Sequence, residues 1–241
     1  MKAIAIIPAR LESTRLPRKV LREIAGKPML AHVYEAARAS ALLAEVVVAT
    51  DSEEVFNLCF ERGWSARMTS SAHRSGTERV QEVAASLAAD VYLNVQGDEP
   101  LARPEHIAAL LAPFADPAVQ VATLKTPCSP ADVNNPNAVK VVADAAGRAL
   151  YFSRAAIPHD RDAAGTARYY KHLGFYAYRK AAIDRFVALP ESSLERAERL
   201  EQLRFLENSI AIHVAETPHD TIGVDTEEDL RRVEELLRSR R

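Results

Sequence analysis

The sequence of 241 residues contains little cysteine and little glycine, and each shortage argues against a class of protein. Its two cysteines, Cys59 and Cys128, lie far apart and form no Cys-x-x-Cys pair, so we expect neither a disulfide framework nor a cysteine zinc site. Its eight glycines form neither Gly-x-Gly-x-x-Gly nor Gly-x-x-x-x-Gly-Lys-Ser/Thr. A dehydrogenase with a dinucleotide fingerprint and a protein with a Walker loop are therefore both disfavoured.

The sequence also lacks a long apolar run and a strong net charge. No hydrophobic stretch is long enough for a membrane span, and residues 1–20 do not have the pattern of a signal peptide. The net charge of −2 gives no general attraction to nucleic acid, so basic residues matter only where they cluster. We therefore expect a soluble cytoplasmic protein that binds neither membranes nor nucleic acid.

The order of apolar runs and helical patterns predicts an α/β fold. Buried strands are predicted at 3–8, 46–50 and 91–95, and helices at 29–39, after 51, at 77–88 and from 104. This alternation is typical of a parallel sheet covered on both faces. Later strands are predicted at 119–125, 138–143, 149–152 and 169–178, followed by helices within 179–208 and at 226–238. Some of the later strands are expected to be antiparallel, which makes the central sheet mixed but mostly parallel.

The first predicted strand runs into a loop with fixed positive charge. Within eleven residues after Ala3–Pro8 come Arg10, Arg15, Arg18 and Lys19. Cations placed at the carboxyl edge of an α/β sheet suit a polyphosphate ligand. The alternative is a solvated basic loop after an ordinary edge strand.

Two separated aspartates are candidate metal ligands. Asp98 follows the third strand and comes directly after Gly97, which allows a sharp turn or a close approach to a ligand. Asp225 precedes the last helix in a similar context. Two carboxylates that meet opposite a cationic loop would form a hard oxygen site suited to Mg²⁺ on a phosphate. Taken singly, Asp98 could be a turn residue and Asp225 a helix N-cap.

The segment Ser75-Gly76-Thr77 lies at the predicted start of a helix. Its backbone N–H groups and hydroxyls suit a nucleotide base or a phosphate. The alternative is plain N-terminal capping by Thr77 with Glu78.

Several collinear blocks resemble the CMP-KDO synthetase family, the 3-deoxy-manno-octulosonate (KDO) cytidylyltransferases, within the broader class of sugar nucleotidyltransferases. The blocks are Pro8-Ala9-Arg10, Ser13-Thr14-Arg15-Leu16-Pro17, His73-x-Ser75-Gly76-Thr77-x-Arg79, Val95-Gln96-Gly97-Asp98-Glu99-Pro100, Asn135-Pro136-Asn137-Ala138-Val139-Lys140, Tyr151-Phe152-Ser153-Arg154, His172-Leu173-Gly174-Phe175-Tyr176, Leu200-Glu201-Gln202 and Gly223-Val224-Asp225-Thr226. The first blocks are shared by a broad class, whereas the full set is specific.

The resemblance implies a Rossmann-like nucleotidyltransferase fold and a homodimer that converts CTP and KDO into CMP-KDO and pyrophosphate for lipopolysaccharide biosynthesis. It implies one domain, 1–241, with a nucleotide-binding half at 1–118 and a sugar-binding and dimerisation half at 119–241. Mg²⁺ is the implied cofactor, with Asp98 and Asp225 as its ligands.

The resemblance also implies the roles of individual residues. Lys19, Asp98 and Asp225 are the implied catalytic residues. The implied nucleotide-binding residues are Arg10, Arg15, Lys19, Ser75, Gly76 and Thr77. The implied sugar-binding residues are Gln96, Arg154, His172, Tyr176, Glu201 and Gln202. Of these, Arg154 can bind the sugar carboxylate through two hydrogen bonds.

Two alternatives remain beside this hypothesis. One is a cytidylyltransferase for another ulosonic or nonulosonic acid, such as 8-amino-KDO or a sialic-type acid. The other is a non-catalytic nucleotide-binding protein. The second alternative does not explain why Lys19 accompanies two acids suited to a metal, since binding alone needs no such pair.

Overall fold

The structure, a computed structural model, describes residues 1–12, 15–162 and 164–239. The chain forms two compact units. The first unit contains Met1–Ala108 and the segment from Thr221 onward, and the second contains Ala109–Asp220. The chain therefore divides ten residues before the boundary predicted at 118/119, and its C-terminal segment lies in the first unit rather than with the second half.

The first unit begins with three strands, after which helices and strands alternate from α1 to α4. Its strands are β1 (Ala3–Pro8), β2 (Glu23–Ile24), β3 (Lys27–Pro28), β4 (Glu45–Thr50), β5 (Ser65–Met68) and β6 (Val91–Asn94). Its helices are α1 (Met29–Arg38), α2 (Glu53–Glu61), α3 (Gly76–Ser86) and α4 (Pro104–Leu111), the last of which continues into the second unit. A 3₁₀ turn spans Lys19–Leu21.

The main sheet of the first unit is parallel, in the order β6-β1-β4-β5. All residues of β1 and β6 are buried, which explains why they appear in the sequence as continuous apolar runs. The carboxyl ends of parallel neighbours share one edge of the sheet, so the loops after β1 and β6 lie side by side.

The second unit has a mixed sheet. Its strands are β7 (Val121–Pro127), β8 (Lys140–Ala143), β9 (Ala149–Ser153), β10 (Tyr170–Tyr178) and β11 (Ile212–Glu216), and its helices are α5 (Pro130–Val133), α6 (Lys180–Ala188), α7 (Ser193–Glu198) and α8 (Leu203–Glu207). Strand β10 pairs antiparallel with both β7 and β8, and β8 pairs antiparallel with β9. Strand β11 pairs parallel with β7. The predicted antiparallel strands are therefore present.

The last helix, α9 (Glu227–Ser239), packs on the N-terminal segment of the first unit. Val224, Leu230 and Val233 belong to one buried apolar cluster, whose other members are Leu16, Ile24, Met29 and Leu101. Burial of this apolar face stabilises the return of the chain to the first unit. Among the described residues, no helix combines the length and apolarity that a membrane span requires.

Candidate active site

A cleft of about 850 Å³ opens in the first unit, where β1 and β6 end. Its lining combines most of the predicted nucleotide-binding and metal-binding residues of this unit. Of these predicted residues, the cleft is lined by Arg10, Arg15, Lys19, Gly76, Asp98 and Asp225, and Pro8, Arg79, Gln96 and Gly97 line it beside them. Ser13 and Thr14, which belong to the second sequence block, lie outside the described residues.

Lys19 connects the two predicted metal ligands. Its Nζ donates to Asp98 Oδ2 at 2.5 Å and to Asp225 Oδ1 at 3.0 Å, while its side chain is only 13 % exposed. Burial alone would lower the pKa of Lys19, but the charges and hydrogen bonds of the two carboxylates outweigh burial and raise it. Arg15 adds a second cation, with Nη2 3.0 Å from Asp225 Oδ2. Lys19 therefore carries its positive charge at neutral pH.

Two close backbone approaches bring the aspartates together. A Cβ on Gly97 would lie 2.9 Å from the carbonyl oxygen of Pro8, so only glycine lets this loop pass so close to the end of β1. The backbone N–H of Val224 donates to the carbonyl of Asp98 at 2.9 Å, which joins the two acidic loops directly. Asp98 and Asp225 are far apart in the sequence, and these main-chain contacts bring their loops together.

The helix cap before α9 is formed by other residues than Asp225. Thr226 Oγ1 accepts from the N–H of Asp229 at 3.2 Å, and Asp229 Oδ2 accepts from the N–H of Thr226 at 2.9 Å. This reciprocal pair satisfies the helix start, so the carboxylate of Asp225 is left to Lys19 and Arg15. The N-cap alternative for Asp225 is wrong.

The start of α3 forms another wall of the cleft. Ser75 is its N-cap, and Ser75 Oγ accepts from the N–H of Glu78 at 3.3 Å, so capping falls to Ser75 and not to Thr77. A Cβ on Gly76 would lie 3.1 Å from Gln96 Nε2, which shows how closely this turn packs on Gln96. Thr77 is buried, and Arg10 donates from Nη1 to the carbonyl of His73 at 3.3 Å.

Arg79 lines the cleft as well, although it had no predicted role. It is fully buried, its Nη2 donates to Asp51 Oδ2 at 2.6 Å, and its Nη1 donates to Thr69 Oγ1. The signal in the sequence was its position four residues before Val83, on the apolar face of α3. The apolar pattern of α3 would therefore have been enough to predict that Arg79 is buried.

The other predicted sugar-binding residues lie in the second unit. The rings of His172 and Tyr176 are 5.4 Å apart on one face of β10, as their spacing predicts. The pKa of Tyr176 is raised by burial and by nearby Tyr178 and Glu201, which places Glu201 close to this ring. Gln202 is buried at the start of α8.

Arg154 is held by backbone carbonyls in the second unit. Its Nε donates to the carbonyl of Glu198 at 2.8 Å, Nη1 to that of Pro136 at 2.9 Å and Nη2 to that of Arg199 at 3.4 Å. A guanidinium has five N–H groups, so each Nη keeps one N–H that these three bonds do not use. The orientation of Arg154 is therefore fixed before any ligand binds.

His172 is expected to make stability depend on pH. Burial lowers the pKa of His172 to about 3 from 6.5, so between these values the unfolded chain binds a proton that the folded chain does not. The free energy of unfolding should therefore fall as the pH is lowered through this window, by at most about 1.4 kcal/mol per pH unit from this residue. Urea unfolding at several pH values should give a flatter dependence for His172→Gln than for the wild type. The exposed His159→Gln is the control, and equal slopes for wild type and His172→Gln would contradict the prediction.

The pair Asp98 and Asp225 fits Mg²⁺. Among the residues described, no group of three or more His, Cys, Asp or Glu side chains could hold a metal. Mg²⁺ in phosphoryl-transfer sites, however, is typically bound by one or two carboxylates together with substrate phosphates. Both carboxylates already converge on one cation, the ammonium of Lys19. The donor set is therefore suited to a hard cation in contact with a phosphate.

The fold and the cleft define an α/β nucleotidyltransferase, and comparisons with known proteins identify which kind. The profile of the family described as "Cytidylyltransferase" matches residues 4–212. The chain therefore belongs to the cytidylyltransferase family.

Two relatives are named 3-deoxy-manno-octulosonate cytidylyltransferase. The one from Koribacter versatilis is 68 % identical over 240 residues, covering 100 % of this chain and 92 % of the relative. The one from Acidobacterium capsulatum is 63 % identical over 241 residues, covering 100 % and 98 %. A solved structure, CMP:2-keto-3-deoxy-manno-octonic acid synthetase complexed with CTP, is 46 % identical, covers 100 % of both chains and has a TM-score of 0.95. The predicted fold class and the resemblance to CMP-KDO synthetases are confirmed.

Proposed function

We propose that the protein transfers CMP from CTP to the anomeric hydroxyl of KDO, which yields CMP-KDO and pyrophosphate. The observation on which this depends is the cluster of Lys19, Asp98 and Asp225 in a cleft lined by Arg10 and Arg15. Such a cluster provides both cations for a triphosphate and acids for a metal. The names of the relatives, which share the whole chain, support the choice of substrates.

The cationic residues of the first unit bind the triphosphate in this proposal. Arg10, Arg15 and Lys19 present fixed charge where negative charge develops on the phosphoryl oxygens. Ser75, Gly76 and Thr77 bind the cytidine at the start of α3, whose first residue, Gly76, lines the cleft. The fixed positions of these groups need no reorganisation during the reaction, which favours the transition state.

Asp98 and Asp225 are the residues that would hold Mg²⁺. When bound, Mg²⁺ would lower the pKa of the sugar hydroxyl and neutralise charge on the phosphates. Lys19 and Arg15 already compensate the two carboxylates.

In this proposal, residues of the second unit bind the sugar acid. Arg154 binds the carboxylate through the two N–H groups that its carbonyl partners leave. His172 is neutral at physiological pH because of its lowered pKa, so its ring acts as a hydrogen-bond partner and not as a cation. Tyr176, Glu201 and Gln202 bind sugar hydroxyls.

Arg154→Ala is expected to raise the KM for KDO much more than the KM for CTP. One lost charge-assisted bidentate contact costs roughly 2–4 kcal/mol of affinity. Steady-state kinetics with each substrate varied in turn would measure the difference, and Arg154→Lys should recover only part of the loss because an ammonium cannot form the two parallel bonds. Equal increases in both KM values would contradict a role in binding the carboxylate.

The proposed reaction is tested by pyrophosphate release with CTP, KDO and Mg²⁺. Parallel assays would use UTP, ATP and other acid sugars, including 8-amino-KDO and a sialic acid. Release with CTP and KDO alone supports the proposal. Release only with another acid sugar would show that this sugar, and not KDO, is the substrate. No release with any pair of substrates would contradict the proposed enzymatic activity.

We also propose that the protein is a homodimer, by likeness to its family. Sedimentation velocity at micromolar concentration should give the mass of two chains. A single species of 26.5 kDa would contradict it. Location in the cytoplasm and a role in lipopolysaccharide synthesis stay predictions.

A further inference from the structure

Lys140 is a fully buried lysine that the proposed reaction does not use. It lies at the start of β8, and its Nζ donates to the carbonyl of Asn135 at 2.7 Å and to that of Ala138 at 2.5 Å. Within the described part of the chain, no carboxylate lies within ion-pair distance of its ammonium. Burial lowers the pKa of Lys140 below its usual value.

A buried ammonium that binds only carbonyls is costly to the fold. Removing a charge from water is unfavourable unless hydrogen bonds and opposite charges compensate it, and an apolar side chain of similar volume is often at least as stable. Stability alone therefore does not account for a lysine here. The two hydrogen bonds of Lys140 fix the turn of residues 135–138. We therefore expect any role of Lys140 to be exerted through this turn.

The turn of residues 135–138 contacts Arg154 directly. The carbonyl of Pro136, inside the turn, accepts from Arg154 Nη1 at 2.9 Å. The opposite side of the guanidinium is held by the carbonyls of Glu198 and Arg199. Lys140 thus acts on the only described contact that fixes Arg154 from the side of the turn.

A second observation connects Lys140 with Arg154. Burial is the largest cause of the lowered pKa of Lys140, and the charge of Arg154 lowers it further, whereas Cys128, Asp132 and Glu198 raise it. Lys140 and Arg154 are therefore near each other in space as well as joined through the turn of residues 135–138.

We propose that Lys140 is a positioning residue for the carboxylate of the acid sugar, acting through the turn of residues 135–138 on Arg154. This inference rests on the proposed function, because it needs an acid substrate that binds Arg154. Lys140 itself does not touch the substrate. It orders the turn so that Pro136 holds the guanidinium in the orientation that binds a carboxylate.

The test is a double-mutant cycle on Lys140 and Arg154. Lys140→Met should raise the KM for KDO about ten- to hundredfold, the loss associated with a hydrogen bond to a charged group, and should leave the KM for CTP within about twofold. Lys140→Gln, which keeps an N–H donor without the charge, should fall between wild type and Lys140→Met. The double variant Lys140→Met/Arg154→Ala should be no worse than Arg154→Ala, because Lys140 acts through Arg154.

Several outcomes would overturn the inference. Additive effects in the double variant, or equal increases in both KM values for Lys140→Met, would show that Lys140 acts independently of Arg154. If Lys140→Met does not fold, as judged by its thermal unfolding, Lys140→Gln takes its place in the cycle with the same criteria. Lys180→Met, which removes a surface ammonium paired with Asp184, is the control and should change neither KM.

The wild-type assay separates the two proposals. Pyrophosphate release with CTP and KDO is measured first, and its absence would contradict the proposed function and the inference together. Release by the wild type combined with an additive cycle would contradict only the role of Lys140.

Discussion

Replacing Asp98 or Asp225 with asparagine is expected to lower kcat about 10²–10³-fold or more, the range for loss of one preorganised electrostatic group at a reacting centre. Each substitution keeps the shape of the side chain but removes one of the two charges that would hold Mg²⁺. The fold should persist, because Lys19 retains the other carboxylate as a partner. The backbone bond from Val224 to Asp98 is also unchanged.

Two measurements check this prediction. Pyrophosphate release at saturating Mg²⁺ gives kcat, and binding of Mn²⁺ in the presence of CTP reports the metal site without turnover. Glu228→Gln is a matched control, since Glu228 is an exposed acid three residues after Asp225. Near-wild-type turnover in either folded variant would refute the assignment of Asp98 and Asp225 as metal ligands.

Lys19→Met is expected to lower kcat by a similar factor of about 10²–10³ and to make stability more dependent on Mg²⁺. The raised pKa of Lys19 means that its charge is present throughout the neutral range. Without it, Arg15 is the one remaining cation that pairs with Asp98 or Asp225 among the described residues, and its side chain is 64 % exposed. A divalent cation that binds between the carboxylates should then stabilise the variant more than the wild type.

Thermal unfolding with and without Mg²⁺ measures the second effect. The midpoint should rise more for Lys19→Met than for the wild type, whereas Lys27→Met should behave as the wild type because Lys27 pairs with Glu35 at the surface. An unchanged kcat would exclude Lys19 from the reaction. If Mg²⁺ raised the midpoint equally in the variant and the wild type, the ammonium of Lys19 would not occupy the position at which Mg²⁺ binds.

The buried parallel strands were predictable because complete burial makes an apolar run. β1, β4 and β6 were found within a residue of their predicted bounds. Four observed strands go beyond the predicted ones: β2 and β3 have only two residues each, too few to leave a pattern, whereas β5 and β11 are longer. β5 is partly exposed along its whole length and contains Arg67, and β11 includes His213 and ends in the exposed Glu216, so neither gives a continuous apolar run.

By itself, the sequence determined the fold class and the cationic loop after β1, and it indicated Asp98 and Asp225 as candidate metal ligands. Local burial and side-chain chemistry leave local patterns, which is why these features could be predicted. Only the tertiary structure decided that Lys19 and Asp225, 206 positions apart, form one hydrogen bond. It also decided that backbone carbonyls of residues distant in the sequence orient Arg154. These contacts depend on chain topology and on competition among nearby partners, and no local pattern of residues reports either of them.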